Sequence, residues 1–436
     1  MKIDSHNKAV ILSILPVFFL ISGFLSLERL PITFYKIETY EILTMFIGLF
    51  AVSYLFLKDL VSVLISIGCS LNVMFGVLFF IDLFEVEYSS LLTAAIILSL
   101  GFSLLVNTIL LYSVHQNKKS SETDAKLAVR QAVSVNFWTV VLSFITLLLL
   151  LVWGFQIQFV PFKDFVWVSA AGLSIAVINA FMLLPVLGSL SLGHINEERQ
   201  QDDLKLSFSE RILQKANDKI EKGITALVKA VSVVLTHKII STLTAILVTA
   251  CLVLELTIEN AEDYYFMILG LVYFLFIVMR YKSYILASAP FLSLIFSYFL
   301  LSYVCKILVW NSESLMQISF FGGITIAAIA AFLQTDTAFG YYKNASKTQD
   351  AVVNATAKTF FMVLASGLVM VIFLILAVHF NDLHKESFQD LMVMGTFIIG
   401  SSVLTLFPGT ALLKTAFSCY ESFRKPNKKR IKSVYM

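Results

Sequence analysis

Charge is what this chain of 436 residues has least of: 14% of it is Asp, Glu, Lys or Arg, and the net charge is only +3. That excludes the charged skin of an ordinary soluble domain, and no basic excess is left to hold nucleic acid. Cysteine is nearly absent as well, with 4 residues. Cys69, Cys251 and Cys305 lie in or near apolar runs and Cys419 lies near the C-terminal end. Their spacing fits neither a zinc site nor a disulfide framework, so they read as small apolar packing residues. Of the 6 histidines, no pair has the spacing of two ligands on one helix; His379 and His384 are five positions apart. There is no P-loop, no G-x-S-x-G and no H-E-x-x-H. ATP hydrolysis and the commoner enzyme chemistries are therefore not expected. No catalytic, cofactor-binding or metal-ligating residue is assigned.

What fills the space is apolar: 58% of the residues are hydrophobic, and 39 are Phe against 18 Gly and 7 Pro. About twenty residues of helix cross the hydrocarbon of a bilayer, and a helix satisfies its own backbone there. Runs of that kind recur at 9–27, 41–57, 59–82, 91–113, 136–154, 165–190, 239–257, 264–280, 283–308, 315–337, 359–379 and 390–415. About twelve transmembrane helices follow. The first run lacks a small-residue cleavage site and is followed by ERLPITFY, so it is expected to stay in the mature chain.

The charges that remain are unevenly placed. Of the 32 Lys and Arg, only Arg29, Lys36, Lys163, Lys306 and Lys385 fall in one set of alternate connections. The rest gather in the other set, including the 115–130 loop, the 191–238 connection and the tail RKPNKKRIK. Positive-inside bias then puts both termini in the cytoplasm, most naturally of a bacterial inner membrane. The tail can also meet anionic lipid.

The chain repeats itself. AVRQAVSVNFWTVVLS at 128–143 and AVVNATAKTFFMVLAS at 351–366 match in step through Ala128 and Ala351, Val129 and Val352, Ala132 and Ala355, Phe137 and Phe360, Val140 and Val363, Ser143 and Ser366. The offset of 223 positions (128 to 351) also carries Pro185 to Pro408 and the tight turn at Lys58 to that at Tyr281. Six spans per half is an even number, so both halves enter from the same side and are parallel repeats. The division expected is 1–192 for the first repeat, 193–237 for a cytoplasmic amphipathic connection, 238–418 for the second repeat and 419–436 for a basic tail. In each half an amphipathic segment precedes the fifth span. The first, ETDAKLAVRQAVSV, is expected to lie along the inner membrane face with its apolar side down. The stretch 206–235, with Ile212, Leu213, Ala216, Ile220 and Ile224 on one stripe, reads as a second interfacial helix.

This layout resembles the membrane core of the resistance-nodulation-division (RND) superfamily, and within it the mycobacterial membrane protein large (MMPL) type and sterol-sensing-domain-like bundles. The features that carry the resemblance are the tight turn between second and third spans, the fourth span LSLGFSLLVNTILLYSV with its following A-x-x-A loop, Thr139, Ser143 and Thr146 in the fifth span, and the inner proline after the sixth. It covers nearly the whole chain. It implies an all-α integral membrane fold of two parallel six-helix repeats and a transporter or exporter handling a lipid or hydrophobic molecule. The family's large extracytoplasmic domains are missing: 28–40 and 258–263 are too short to hold a core of their own. Where the family places its proton-relay Asp, this chain has Ser103-Leu104 in the fourth span and the neighbourhood of Thr325, Ile326 and Ala327 in the tenth. Neither Ser nor Thr ionises near neutral pH, so the relay is expected to be absent.

The residues left for polar work in the bundle are Ser103, Asn107 and Thr108, then Asn136, Thr139, Ser143 and Thr146, then Asn179, Thr325 and Ser366. Interhelical hydrogen bonding is the plain reading of them; an altered relay or a stripe for a lipid headgroup is the functional one. Asp82, Glu255 and Asp336 are the acids with apolar flanks, read as boundary residues that reach water. Asp336 is the secondary candidate, although it lies about 13 Å from Ala327 at helical rise. Two readings remain open. One is a carrier of lipid or hydrophobic cargo. The other is a non-transporting subunit or lipid-sensing scaffold whose protein partner supplies the extracytoplasmic domain or the energy. A major-facilitator carrier also has six-plus-six parallel halves. It would carry a Gly-Asp-Arg motif where this chain has LKDLVS, and shorter fourth-to-fifth connections.

Overall fold

A computed structural model of the chain describes residues 5–27, 47, 50, 53–54, 57, 59–86, 90–120, 125–156, 160–189, 208–258, 264–308, 313–343, 347–380 and 388–424. Its regular elements are helices: α1 (Ser5–Leu27), α2 (Leu60–Leu83), α3 (Ser90–Ser120), α4 (Ala125–Gln156), α5 (Val160–Ile178), α6 (Phe208–Leu235), α7 (Lys238–Ile258), α8 (Tyr264–Tyr281), α9 (Tyr284–Ile307), α10 (Glu313–Lys343), α11 (Thr348–Phe380) and α12 (Phe388–Arg424). No strand occurs among the described residues. A π-bulge over Asn179–Leu183 interrupts the helix of the sixth apolar run, just before Pro185.

The chain is an all-α integral membrane protein. Eight of its described helices are long and apolar enough to cross a bilayer, and nine if α6 and α7, bent by 80° at their junction, count as one broken span. Eleven of the apolar runs fall on described helices, one on each of α1 to α12 except α6, and eight or nine spans are counted among the described residues. Most of the run at 41–57 lies outside the described residues, as does the first part of the amphipathic connection, 193–207.

The sequence repeat is carried into helix boundaries. α3 and α10 each hold 31 residues and start 223 positions apart, at Ser90 and Glu313. α2 and α9 each hold 24, and α4 and α11 hold 32 and 33. The tight inner turns before α2 and α9 are built from local polar groups. Asp59 accepts from the Ser62 amide at 3.1 Å and caps α2. Lys282 takes a positive φ of 52°, and Ser283 Oγ accepts from the Leu286 amide at 3.4 Å to start α9.

The molecule divides into two compact units. The first comprises residues 1–220, 308–325 and 364–399. At its centre stands α3, whose span from Leu92 to Asn117 is buried throughout. α3 packs on α2, α4 and α5; α2 packs on α1 and α5; and α4 packs on α5. Lipid offers no hydrophobic drive to bring helices together, so close backbone approach and hydrogen bonds must do it. Gly172 of α5 is such an approach. A Cβ there would sit 2.2 Å from Ser99 Oγ on α3 and 2.9 Å from Val77 Cγ2 on α2. Phe165 and Phe321 add a ring contact at 5.4 Å.

The second unit comprises residues 221–307, 326–363 and 400–436. Here α9 packs on α7 and α8. Tyr273 meets Phe332 edge-on at 6.3 Å, Tyr342 meets Phe417 at 4.9 Å and Phe360 meets Phe407 at 5.9 Å.

One local expectation is corrected. ETDAKLAVRQAVSV does not form a separate helix lying on the inner membrane face: from Ala125 it is the first part of α4 and runs straight into the fifth span. Ala128, Val129 and Ala132 are buried against Val114 of α3, with Val61 packed beside them. The apolar stripe is real, but no glycine or proline breaks the helix between residues 125 and 153, and the small side chains let the stripe dock on protein rather than lipid. The equivalent Ala351, Val352 and Ala355 on α11 are equally buried.

Candidate functional site

The polar residues singled out in the sequence are almost all inside the protein. Ser103, Asn107, Thr108, Asn136, Thr139, Ser143, Asn179, Thr325 and Ser366 are each 1% exposed or less, and Thr146 is 9% exposed. A buried polar side chain in a bundle must find partners, and their partners sort these residues into two groups.

The first group joins helices within the first unit. Ser70 Oγ on α2 donates to Ser103 Oγ on α3 at 3.2 Å. The Asn107 carboxamide, one turn along α3, sits among three oxygens: Ser103 Oγ at 3.2 Å, Ser66 O at 3.3 Å and Ser70 Oγ at 3.4 Å. On another face of α2, Asn72 Nδ2 donates to Asn179 Oδ1 at 2.9 Å, and Asn179 Nδ2 donates to Cys69 O at 3.3 Å. Asn179 opens the π-bulge, so the irregular turn of the sixth span is tied to α2 by a pair of carboxamides. Asn136 Nδ2 on α4 donates to Ser113 Oγ on α3 at 2.9 Å.

The second group bonds back to its own helix. Ser143 donates to Thr139 O at 2.7 Å, Thr146 to Leu142 O at 2.8 Å and Thr325 to Phe321 O at 2.6 Å. Such hydroxyls satisfy themselves locally. The structure therefore brings Ser103 and Asn107 together, and places Thr139, Ser143, Thr146, Thr325 and Ser366 in the core.

The second unit has a polar cluster that the sequence reading missed. Gln334 Nε2 on α10 lies 2.8 Å from Thr356 Oγ1 on α11, and 2.9 Å from Thr410 Oγ1 and 3.1 Å from Leu406 O on α12. Thr356 and Thr410 are 3.0 Å from each other. On α9, Ser293 Oγ donates to Thr405 O at 3.0 Å and Ser297 Oγ pairs with Thr405 Oγ1 at 2.8 Å. These contacts surround Pro408, the helix-interior proline of α12. The signal was available in part: Ser293 and Ser297, like Ser66 and Ser70, are hydroxyls one turn apart on an otherwise apolar helix.

Asp336, the secondary candidate, is not a water-facing boundary residue. Its side chain is 6% exposed and pairs with Arg280 of α8 at 3.3 Å. The Arg280 guanidinium also stands over the Tyr281 ring, 5.8 Å from its centroid, and Tyr281 meets Phe339 edge-on. Burial of the acid needs this arginine, and the two residues are linked across 56 positions of sequence. Glu255 is among the residues whose side chains lie outside the description.

No family model matches the sequence, and no curated protein matches it. Solved structures do. The chain is similar to SecDF, described as a translocon-associated membrane protein, from Thermus thermophilus: TM-score 0.58, 12% identity, with 88% of this chain and 62% of that chain covered. It is similar also to SecDF in a super-membrane-facing form, at TM-score 0.52 and 11% identity, covering 94% of this chain and 63% of that one. At such identities the likeness is one of fold alone. The chain spans less than two thirds of the length of either.

Proposed function

We propose that this chain is an RND-type bundle of the transporter or exporter kind, one that handles a lipid or other hydrophobic molecule without an intramembrane carboxylate relay. The observation that carries the reading is chemical. Where the family keeps its acids, the fourth span has Ser103-Leu104 and the tenth the neighbourhood of Thr325, Ile326 and Ala327; Ser103 is bonded to Ser70 and Thr325 to its own helix. The described acid closest to the tenth-span position, Asp336, is paired with Arg280. Polar groups of this kind hold helices together, and energy for any net movement then comes from elsewhere. The resemblance of the layout to MMPL-type proteins supports hydrophobic cargo. The charge distribution supports a bacterial inner-membrane location with both termini in the cytoplasm.

A second reading is favoured by one specific finding. SecDF is described as translocon-associated, and this chain covers under two thirds of it. That supports a subunit that works beside a larger membrane assembly, its partner supplying extracytoplasmic parts or energy. Native mass spectrometry of the protein, extracted gently from its own membrane, separates the two. A lipid or hydrophobic metabolite retained at fixed stoichiometry supports the carrier. A stoichiometric protein partner without such a ligand supports the subunit and sinks the carrier.

A further inference from the structure

The second unit carries a helix with more apolar surface in the open than its own packing uses. The described end of α6, from Glu221 to Leu235, meets α7 at 80°. The chain turns through Thr236, whose Oγ1 donates to Ser232 O at 2.8 Å, and His237. α7 is the apolar partner of this bent pair. If α7 runs across the bilayer, a helix at 80° to it runs close to the membrane plane. Val228 and Ser232 of α6 are buried, at 1% and 0% exposure. Leu227, Val231 and Val234 are 64%, 37% and 56% exposed, and at spacings of four and three they form one stripe. Lys219, Lys222 and Lys229 are exposed too. At 100° per residue they lie on the opposite flank of the exposed surface, roughly 140° from the apolar stripe, with Val233 (48% exposed) among them.

A helix in the membrane plane, with an apolar flank, a lysine flank and a buried back, fits one environment: the boundary between acyl chains and anionic headgroups. We propose that α6 is a lipid-binding helix. Leu227, Val231 and Val234 enter the acyl boundary of the inner leaflet, while Lys219, Lys222 and Lys229 reach the phosphates of anionic phospholipids. The charge complementarity selects the leaflet surface over a protein groove as the occupant. The inference rests on the membrane-spanning character of α7 and is independent of what the bundle transports.

The test uses the full chain in nanodiscs of phosphatidylcholine, with and without about one third phosphatidylglycerol. A fluorophore is attached to Leu227→Cys in a background with Cys69, Cys251, Cys305 and Cys419 replaced by Ala. In anionic discs a nitroxide-labelled lipid should quench it while aqueous iodide does not. Replacing Lys219, Lys222 and Lys229 with Gln should lower the docked-to-free ratio about fivefold per lysine, and about a hundredfold together. High salt should act in the same direction. Hydrogen exchange of the α6 amides in the unaltered chain gives a second readout: slower in anionic discs, and faster again with salt. Iodide quenching that is equal in both lipids would overturn the proposal. So would exclusion of both quenchers, which means that protein covers this face, and so would α6 exchange indifferent to lipid charge.

Discussion

Gly409→Ala should change sign with its background. A Cβ on Gly409 would sit 2.6 Å from Gln334 Oε1 and 3.2 Å from Ser293 Oγ. Gln334 is the far end of a flexible side chain, so the amide must move, and moving it takes Nε2 away from Thr356, Thr410 and Leu406. An amide nitrogen has two hydrogens and can serve two of those three acceptors at once. Interhelical hydrogen bonds in membranes contribute about 0.6 kcal/mol on average and up to about 1.7, so roughly 1–3 kcal/mol is lost. Against this, Ala in place of a helical Gly gains about 1 kcal/mol. The net is a protein destabilised by roughly 0–2 kcal/mol. When Gln334 is first replaced with Ala, the atom at 2.6 Å is gone. Gly409→Ala should then stabilise by up to about 1 kcal/mol, less what Ser293 must give. Equilibrium unfolding of the four variants in mixed micelles, followed by helical ellipticity, closes the cycle. Equal effects of Gly409→Ala in both backgrounds would refute the claim that Gln334 couples α10, α11 and α12.

The remaining predictions concern single groups. Ser103→Ala and Thr325→Ala should barely change any activity found; a large loss at normal expression would falsify the neutral-core reading. Gly172→Leu should prevent assembly of the first unit, because its Cβ already overlaps Ser99 Oγ at 2.2 Å, and detergent-extracted protein should aggregate; Ser99→Gly should restore part of the yield of Gly172→Ala. Arg280→Met removes the cation beside the buried Asp336 and should cost about 1–3 kcal/mol, below the fully buried figure because Arg280 is 29% exposed. Adding Asp336→Leu should recover most of that in the same unfolding assay; a double variant as weak as the single one would show that the pair is not what holds the site. Cys419 is free and exposed, so a membrane-impermeant maleimide should label it in inverted vesicles and not in intact cells, and the reverse pattern would place the C-terminal end outside.

Much of this was legible in the sequence because membrane helices are written in long apolar runs and the repeat fixes their order. Eleven runs fall on helices, though several helices exceed the run: α4 begins at Ala125 and α11 at Thr348, well before 136 and 359. Which polar residues meet was less legible. Ser103 and Asn107 read as polar neighbours on one span, and the structure does bring them together, but nothing in the sequence marks their partners on α2, Ser66 and Ser70. Ser has no length and no charge to announce it, and its neighbours depend on how two helices cross. No local pattern marks Gln334, since its three acceptors lie 22, 72 and 76 positions away. Asp336 was read as water-facing because no local pattern shows that Arg280, on another helix, will cover it.

The two halves keep the same helix plan and differ in where they place hydrogen bonds. At the offset of 223 that relates Ser90 to Glu313, Ser103 and Asn107 correspond to Ile326 and Ala330, and Gln334 corresponds to Leu111. Ser70 and Ser293 are cross-linked in both halves, but Ser103, Asn107 and Gln334 each have an apolar counterpart. Gln334 also lies four residues beyond the position equivalent to Asn107, about 6 Å further toward the inner end at helical rise. A mirrored pair of ion-handling sites would put matching chemistry at matching depth. Here the matched positions carry side chains that do not ionise, and the hydrogen bonds tie helices within each unit. That division of labour fits a scaffold repeated for its shape, with polar groups added to each half to hold its own helices in place.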